Sequence, residues 1–387
     1  MKNGVALLWL IWLLTSCSSK TMQVGELYVP DLLDNKAKVS LSDLFSSITY
    51  IPLESTKEIY LNQIDFLIVD ENFVLVYDSK GKKLLQFNGE GLFVKEFMKA
   101  GKGPGEFFQI TALDINKKKE ILVLRNGQYL DILKEDGSLI NSIDFSAVPQ
   151  SARWLTNDII LLLYSFPTYL FNDGFEICFM DKDGNILKKS LKKPTSGIER
   201  GRAGRLRCGS NGSEFYYWSH QSDTVYTITK NMQVYPKYVL THDKRHIPVH
   251  KYSQTGYQPD LDQRYTVESY HEWGDYIFIF SVYNYHGYRG IINHKLGLRG
   301  NVIDDYNQWT EPGLLNTIDG GMSFWPGTNL IDGSIIRALD PIELRESFYH
   351  NLNSNLPVNA IKQELLKAEL IDSLTLMSNP VLMRVKQ

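Results

Sequence analysis

The chain has 387 residues, with 44 acidic against 41 basic side chains and a formal net charge of −3, which argues against nucleic acid as its main partner. Its 43% hydrophobic and 12% aromatic content is ample for a packed core. Length alone suggests two or three domains, a prior that internally repeated chains escape.

The chain opens with MKNGVALLWLIWLLTSC, in which Lys2 precedes an apolar run over 5–14. That run falls short of the ~20 residues a membrane span requires and fits a secretory h-region. Leu14-Thr15-Ser16-Cys17 then resembles a bacterial lipobox, predicting removal of residues 1–16 as a signal peptide and lipid attachment at Cys17. Residues 17–44 read as a lipidated tether, and 45–387 as the folded domain. Of the remaining cysteines, Cys178 sits in an alternating strand, where a buried free thiol and a bond to Cys208 are both open readings.

A two-strand unit with a tight glycine turn then recurs: LLQFNGEGLFVKEF, YLDILKEDGSLINSI and ICFMDKDGNILKKSL. Its glycines, Gly91, Gly137 and Gly184, lie 46 and 47 residues apart. Short alternating strands at that period are the signature of propeller blades. Blade one is expected at 64–69, 73–77, 83–87 and 92–97, blade two at 110–115, 121–124, 129–133 and 139–143, and blade three at 153–155, 159–166, 175–180 and 186–189. Blade four follows near 206, 214–218, 224–229 and 234–239, and blade five at 265–270, 276–282, 288–293 and near 302. The last blade takes 322–325 and 334–339, is interrupted by a helix suggested by Pro357, Ile361, Leu365, Ala368, Leu370 and Ile371, and resumes after Asn379. Its outermost strand is expected from 48–53, so that pairing of N- and C-terminal strands closes the ring. The fold class is therefore all-β, a six-bladed β-propeller closed by an N-terminal strand, with a short C-terminal helix inserted in the last blade.

Several segments carry a family resemblance. Gly101-Lys102-Gly103-Pro104-Gly105-Glu106-Phe107, the lead-in Ile48-Thr49-Tyr50-Ile51-Pro52-Leu53-Glu54, the ending Asn379-Pro380-Val381-Leu382 and the lipobox together resemble the Bacteroides-type six-bladed β-propeller lipoproteins. The resemblance implies a propeller in the bacterial cell envelope, lipid-anchored at the outer membrane, and it implies no activity.

In a propeller the connections between blades share one face with the loops between second and third strands. The connections over 191–206, 241–264 and 304–321 are long, whereas the turns at Gly91, Gly137 and Gly184 are short, so one face is expected to carry function. It collects a basic connection with Arg202, Arg205 and Arg207, suited to anions. Its middle loops add Phe166, Tyr169, Phe171, His220, Tyr283, Tyr285 and His286, rings suited to a sugar. The glycine-rich segment at 101–105 lacks the Lys-Ser/Thr end of a phosphate loop, and no nucleophile elbow occurs. His242, His246 and His250 are spaced by four, but Pro248 weakens helical geometry, so no metal or cofactor is expected. Glu268, His271, Arg289 and Asp340 are conceivable acid-base partners. The expectation is a non-catalytic envelope lipoprotein that binds a glycan or peptide. The alternatives are a polysaccharide lyase or hydrolase using a His/Tyr/Arg cluster, and a scaffold for an envelope protein partner.

Overall fold

The computed structural model describes residues 24–164, 168–193, 206–211, 214–219, 222–247, 261–302, 313–329, 333–352 and 370–387; at 168, 169, 206–208, 210, 211, 328, 329 and 350–352 it describes the backbone alone. Six sheets form the ring, each with four antiparallel strands, and two of them carry a fifth strand added in parallel. Blade one is Phe66–Val69, Phe73–Asp78, Lys83–Asn88 and Phe93–Met98, from inner to outer strand. Blade two is Ile110–Ile115, Ile121–Arg125, Tyr129–Leu133 and Leu139–Asp144. Blade three is Ser151–Trp154, Ile159–Leu163, Phe175–Asp181 and Ile186–Lys192. Blade four is Leu206–Asn211, Glu214–Ser219, Thr224–Ile228 and Val234–Thr241, and blade five is Tyr265–Trp273, Tyr276–Tyr283, His286–Asn293 and Leu298–Val302. Blade six combines Thr328–Asn329, Ile335–Leu339 and Val381–Lys386 with Ser47–Pro52 outermost.

A blade is one sheet with two faces, and each face must meet a neighbour. The second strand of blade one is accordingly buried along its whole length. The apolar core divides into six clusters, one at each junction between consecutive blades. At the closing junction, Ile51, Ile336 and Leu382 of blade six pack with Val69, Val74 and Phe87 of blade one.

The recurrent turns behave as their chemistry demands. Gly91, Gly137 and Gly184 have φ of 90°, 86° and 93°, a region that disfavours side chains. A Cβ on Gly91 would also collide with the carbonyl of Pro52, on the outer strand of the preceding blade. Outer strands reach the turns ahead of them in register: Lys95 Nζ donates to the Asp136 carbonyl (2.5 Å), Asn141 Nδ2 to that of Lys182 (2.8 Å) and Lys188 Nζ to that of Met232 (2.8 Å). The turns on this face thus take part in blade-to-blade contacts.

The glycine-rich segment after blade one is structural too. Gly103 N–H donates to Glu106 Oε2 at 2.7 Å, Gly101 N–H donates to the Phe107 carbonyl at 2.8 Å, and the Phe107 ring is fully buried against Tyr77. It folds on itself to set the entry of blade two.

Two features differ from expectation. Residues 25–44 are part of the fold instead of a tether: Gly25–Tyr28 pairs in parallel with the outer strand of blade four and Lys36–Ala37 with that of blade five. Between them the helix Pro30–Asp34 buries Leu32 and Leu33. Gly290 of blade five makes room, since a Cβ there would lie 2.7 Å from Leu32 Cβ. This strap has the burial the sequence reading missed, with Leu27 and Val29 fully enclosed. Secondly, a helix in the last blade occupies Pro341–Leu352, capped by Asp340, whose Oδ1 accepts from the N–H groups of Ile342 and Glu343. The expected helix around 357–371 falls outside the described residues except for its end, where 370–373 is helical.

Candidate functional site

The face opposite the glycine turns carries the blade connections and middle loops. Its most developed region lies between blades four and five. After Thr241 the chain turns tightly: Asp243 Oδ1 accepts from Arg245 N–H at 2.9 Å, and the Asp243 carbonyl accepts from His246 N–H at 3.1 Å. This turn, not a helix, brings His242 and His246 to one side, with ring centroids 3.5 Å apart and planes within 11°. Backbone bonds from Tyr265 N–H to the Arg245 carbonyl (3.0 Å) and from Ile247 N–H to the Tyr265 carbonyl (2.9 Å) fasten the turn to blade five.

Tyr265 is fully buried beneath the pair, its Oη 3.0 Å from His242 Nδ1. Burial, reinforced by the charge of Asp243, pushes its hydroxyl pKa up, so the hydroxyl stays protonated. When it donates to Nδ1, Nε2 carries the imidazole proton and donates to Asp223 Oδ1, 3.3 Å away. Asp223 comes from the middle loop of blade four, and the donor atoms of Asp223, His242 and His246 all lie within 4.8 Å of one another. Two imidazoles and a carboxylate can relay protons or hold a cation.

Arg245 fixes the surroundings. Its two terminal nitrogens donate to both oxygens of Asp34 on the strap (2.8 and 2.7 Å), its Nε donates to Asp243 (2.7 Å), and its guanidinium lies 5.6 Å from the Tyr283 ring centre. The Arg245 hydrogen bonds hold the Asp34 carboxyl below its ordinary pKa of 3.8.

Of the sequence-predicted ligand residues, Tyr283, Tyr285 and His286 are brought together by one hairpin, in which Tyr283 pairs with His286 across Asn284-Tyr285. Both turn residues have positive φ, 48° and 65°. That is the I′ geometry a two-residue hairpin favours, and an aromatic there is costly compared with glycine. Tyr285 is 63% exposed and its Oη accepts from Leu261 N–H at 3.3 Å. Tyr283 is half-buried, with the Arg245 guanidinium over its ring. Arg207, expected at the end of the basic connection, lies in the inner strand of blade four opposite Trp218. Arg202, Arg205, His220, His250 and Cys17 lie outside the described residues.

The conceivable acid-base partners have structural duties. Asp340 caps the helix, His271 Nδ1 is 3.1 Å from Tyr216 Oη, Glu268 accepts from Thr266 Oγ1 at 2.9 Å, and the Arg289 guanidinium lies over Phe280 and Trp325. Cys178 is a buried free thiol whose pKa burial pushes up to about 11.

Sequence reasoning missed Asp223, Tyr265, Arg245 and Asp34. Only the four-residue spacing of His242 and His246 signalled the cluster. Exposed aromatics add a face-wide pattern. Phe108 follows the connection into blade two, Phe171 is in the middle loop of blade three, Tyr285 in that of blade five and Tyr349 in the helix of blade six; Tyr28 ends the strap strand beside Thr241. All of these segments lie at the same face, whereas exposed aliphatics such as Leu92, Leu139, Ile186 and Leu296 flank the opposite turns.

No curated protein matches the chain. Among solved structures, it is similar to a protein of inferred export from Bacteroides fragilis NCTC 9343, at 16% identity over 91% of this chain and 98% of that one, with a TM-score of 0.67. A member of the DUF4221 family from Bacteroides vulgatus ATCC 8482 is similar at 11% identity over 67% of this chain and 85% of that one, with a TM-score of 0.44. Among the described residues no helix is long and apolar enough to cross a membrane. Residues 26–386, from the strap strand to the strand that closes the ring, match the domain of unknown function DUF4934, and the chain belongs to that family.

Proposed function

We propose that this protein is an exported lipoprotein of the cell envelope, anchored through Cys17, whose propeller binds a glycan on the face of the blade connections without catalysis. The carrying observation is the segregation, among the described residues, of exposed aromatic rings to that face, while the exposed large apolar side chains at the opposite turns are aliphatic. Rings such as Tyr285 and Phe171 offer flat apolar surfaces to sugar C–H groups, and their spread over several blades suits an extended chain. The similarity to a Bacteroides fragilis protein of inferred export supports the compartment, as does the lipobox.

A lyase or hydrolase reading rests on the His242, His246, Tyr265 and Arg245 cluster. Tyr265 is fully buried and its hydroxyl titrates far above neutrality, and Arg245 is committed to two carboxylates, which disfavours both as groups acting on substrate.

A glycan array followed by calorimetry on the purified protein tests the binding reading. Tyr285→Ala and Phe171→Ala should each weaken a ligand about tenfold, since a ring contact contributes on the order of 1 kcal/mol beyond area burial. Absence of any glycan ligand, with a peptide library positive instead, would replace glycan by peptide; new absorbance from unsaturated products on uronic-acid polysaccharides would establish the lyase. Cys17→Ser should release the protein from membranes, and unchanged membrane fractionation would remove the anchor.

A further inference from the structure

We infer that Asp223, His242 and His246 form a site for one divalent transition-metal ion of the zinc class, bridging blade four to the connection that enters blade five. The donor set is the first reason. Two imidazoles with one carboxylate suit zinc, cobalt, nickel or copper and are a poor match for magnesium or calcium, which favour all-oxygen shells.

Geometry is the second. A tetrahedral zinc with bonds of about 2.0–2.1 Å holds its ligand atoms about 3.3 Å apart. Here the donor atoms already lie within 4.8 Å, and Asp223 Oδ1 is 3.3 Å from His242 Nε2. Binding requires the Nε2 proton to leave and the two rings to turn out of their 11° stack, because imidazole lone pairs lie in the ring planes and two stacked, nearly parallel planes do not meet at a single nearby ion. Those are side-chain rotations on a turn whose backbone is fastened to blade five.

The surroundings also fit. A metal-bound imidazole presents its other nitrogen to a partner that fixes the ring, and the buried Tyr265 hydroxyl occupies that place on His242, able to accept from Nδ1–H once Nε2 is metallated. Arg245, on the same turn, is paired with two carboxylates, Asp34 and Asp243. Asp223 has a side chain 62% exposed, so the ion would keep a coordination position open towards the ligand face.

The test uses the full chain, purified in detergent and stripped with a chelator. Cobalt titration should saturate at one equivalent with visible d–d bands, and zinc should abolish the bands by competition. His246→Ala should lose the bands, and Asp223→Asn, a nearly isosteric change at a side chain 62% exposed, should weaken zinc at least about tenfold. No saturable one-to-one cobalt spectrum in the parent chain, or zinc affinity unchanged in both variants, would overturn the site.

Discussion

Asn379 is 1% exposed, and its side chain makes three hydrogen bonds. Its Oδ1 accepts from Leu61 N–H (2.7 Å), while Nδ2 donates to the carbonyls of Glu54 (2.7 Å) and Ile59 (2.6 Å), so one amide joins the chain's end to the passage between its first two blade strands. Asn379→Ala strands these backbone groups without partners. The expected loss is about 2–4 kcal/mol, read from denaturant midpoints; a loss below 1 kcal/mol would show that water replaces the amide. Glu176 presents the opposite case. It is buried at the junction of blades three and four, accepting from Tyr217 Oη at 3.2 Å with Lys193 Nζ at 3.5 Å. Burial raises its pKa more than Lys193 and Tyr217 lower it. A carboxyl raised on folding stabilises most below its ordinary 4.5, and that contribution is lost as pH rises through the folded value. Glu176→Gln should therefore melt higher than the parent near neutrality, with the gain vanishing in acid; an unchanged or lower melting point near neutrality would contradict the sign.

At the scale of elements, the blades were legible because alternation and turn chemistry agree. The fourth turn shows the limit: Met232 has φ of 59° where its predecessors have glycine, held by Met232 N–H to the Thr229 carbonyl (2.9 Å) and Gln233 N–H to Thr229 Oγ1 (3.2 Å). A search for glycine passes over it, although it lies 48 residues after Gly184. The strap was illegible for a different reason. GELY and Lys36–Ala37 are too short to show a period, and their partners lie over two hundred residues away. The candidate site divides the same way: the histidine spacing is local, but Asp223, 19 residues from His242, meets it through the pairing of the two outer strands of blade four, and Tyr265, 23 residues away, only because blades four and five are adjacent. The strap's hold on this region is testable. Asp34→Ala removes the fork from Arg245, and because Asp34 is 54% exposed the pair contributes at most about 1 kcal/mol. Amide exchange over 25–37 should quicken while the global midpoint hardly moves. In the parent, the contribution is present above the ordinary 3.8 and lost as pH falls through the depressed folded value, so acid should mimic the substitution. Equal exchange in parent and variant would assign the strap's retention to Leu27 and Leu32 alone.

For the whole molecule, stability depends on closing a ring whose last blade is assembled from both ends of the domain. Val381–Lys386 pairs on one side with Ile335–Leu339 and on the other with Ser47–Pro52. It fills the junction with blade five through Val381, Met383 and Val385 and that with blade one through Leu382, all fully buried. Burying such side chains contributes about 1.5–3 kcal/mol each, so the four amount to roughly 6–12 kcal/mol, comparable with the ~5–15 kcal/mol net stability of an ordinary domain. Removing the strand also leaves two facing edges open in the middle of a sheet, where exposed ladders invite association between chains. A chain ending at Ser378 should thus fail to unfold cooperatively and be recovered as aggregate, whereas one ending at Val385, which keeps all four side chains, should unfold cooperatively. Cooperative unfolding of the shorter chain, measured by circular dichroism on heating, would show that five blades hold together without the sixth and that ring closure is not what makes this domain one unit.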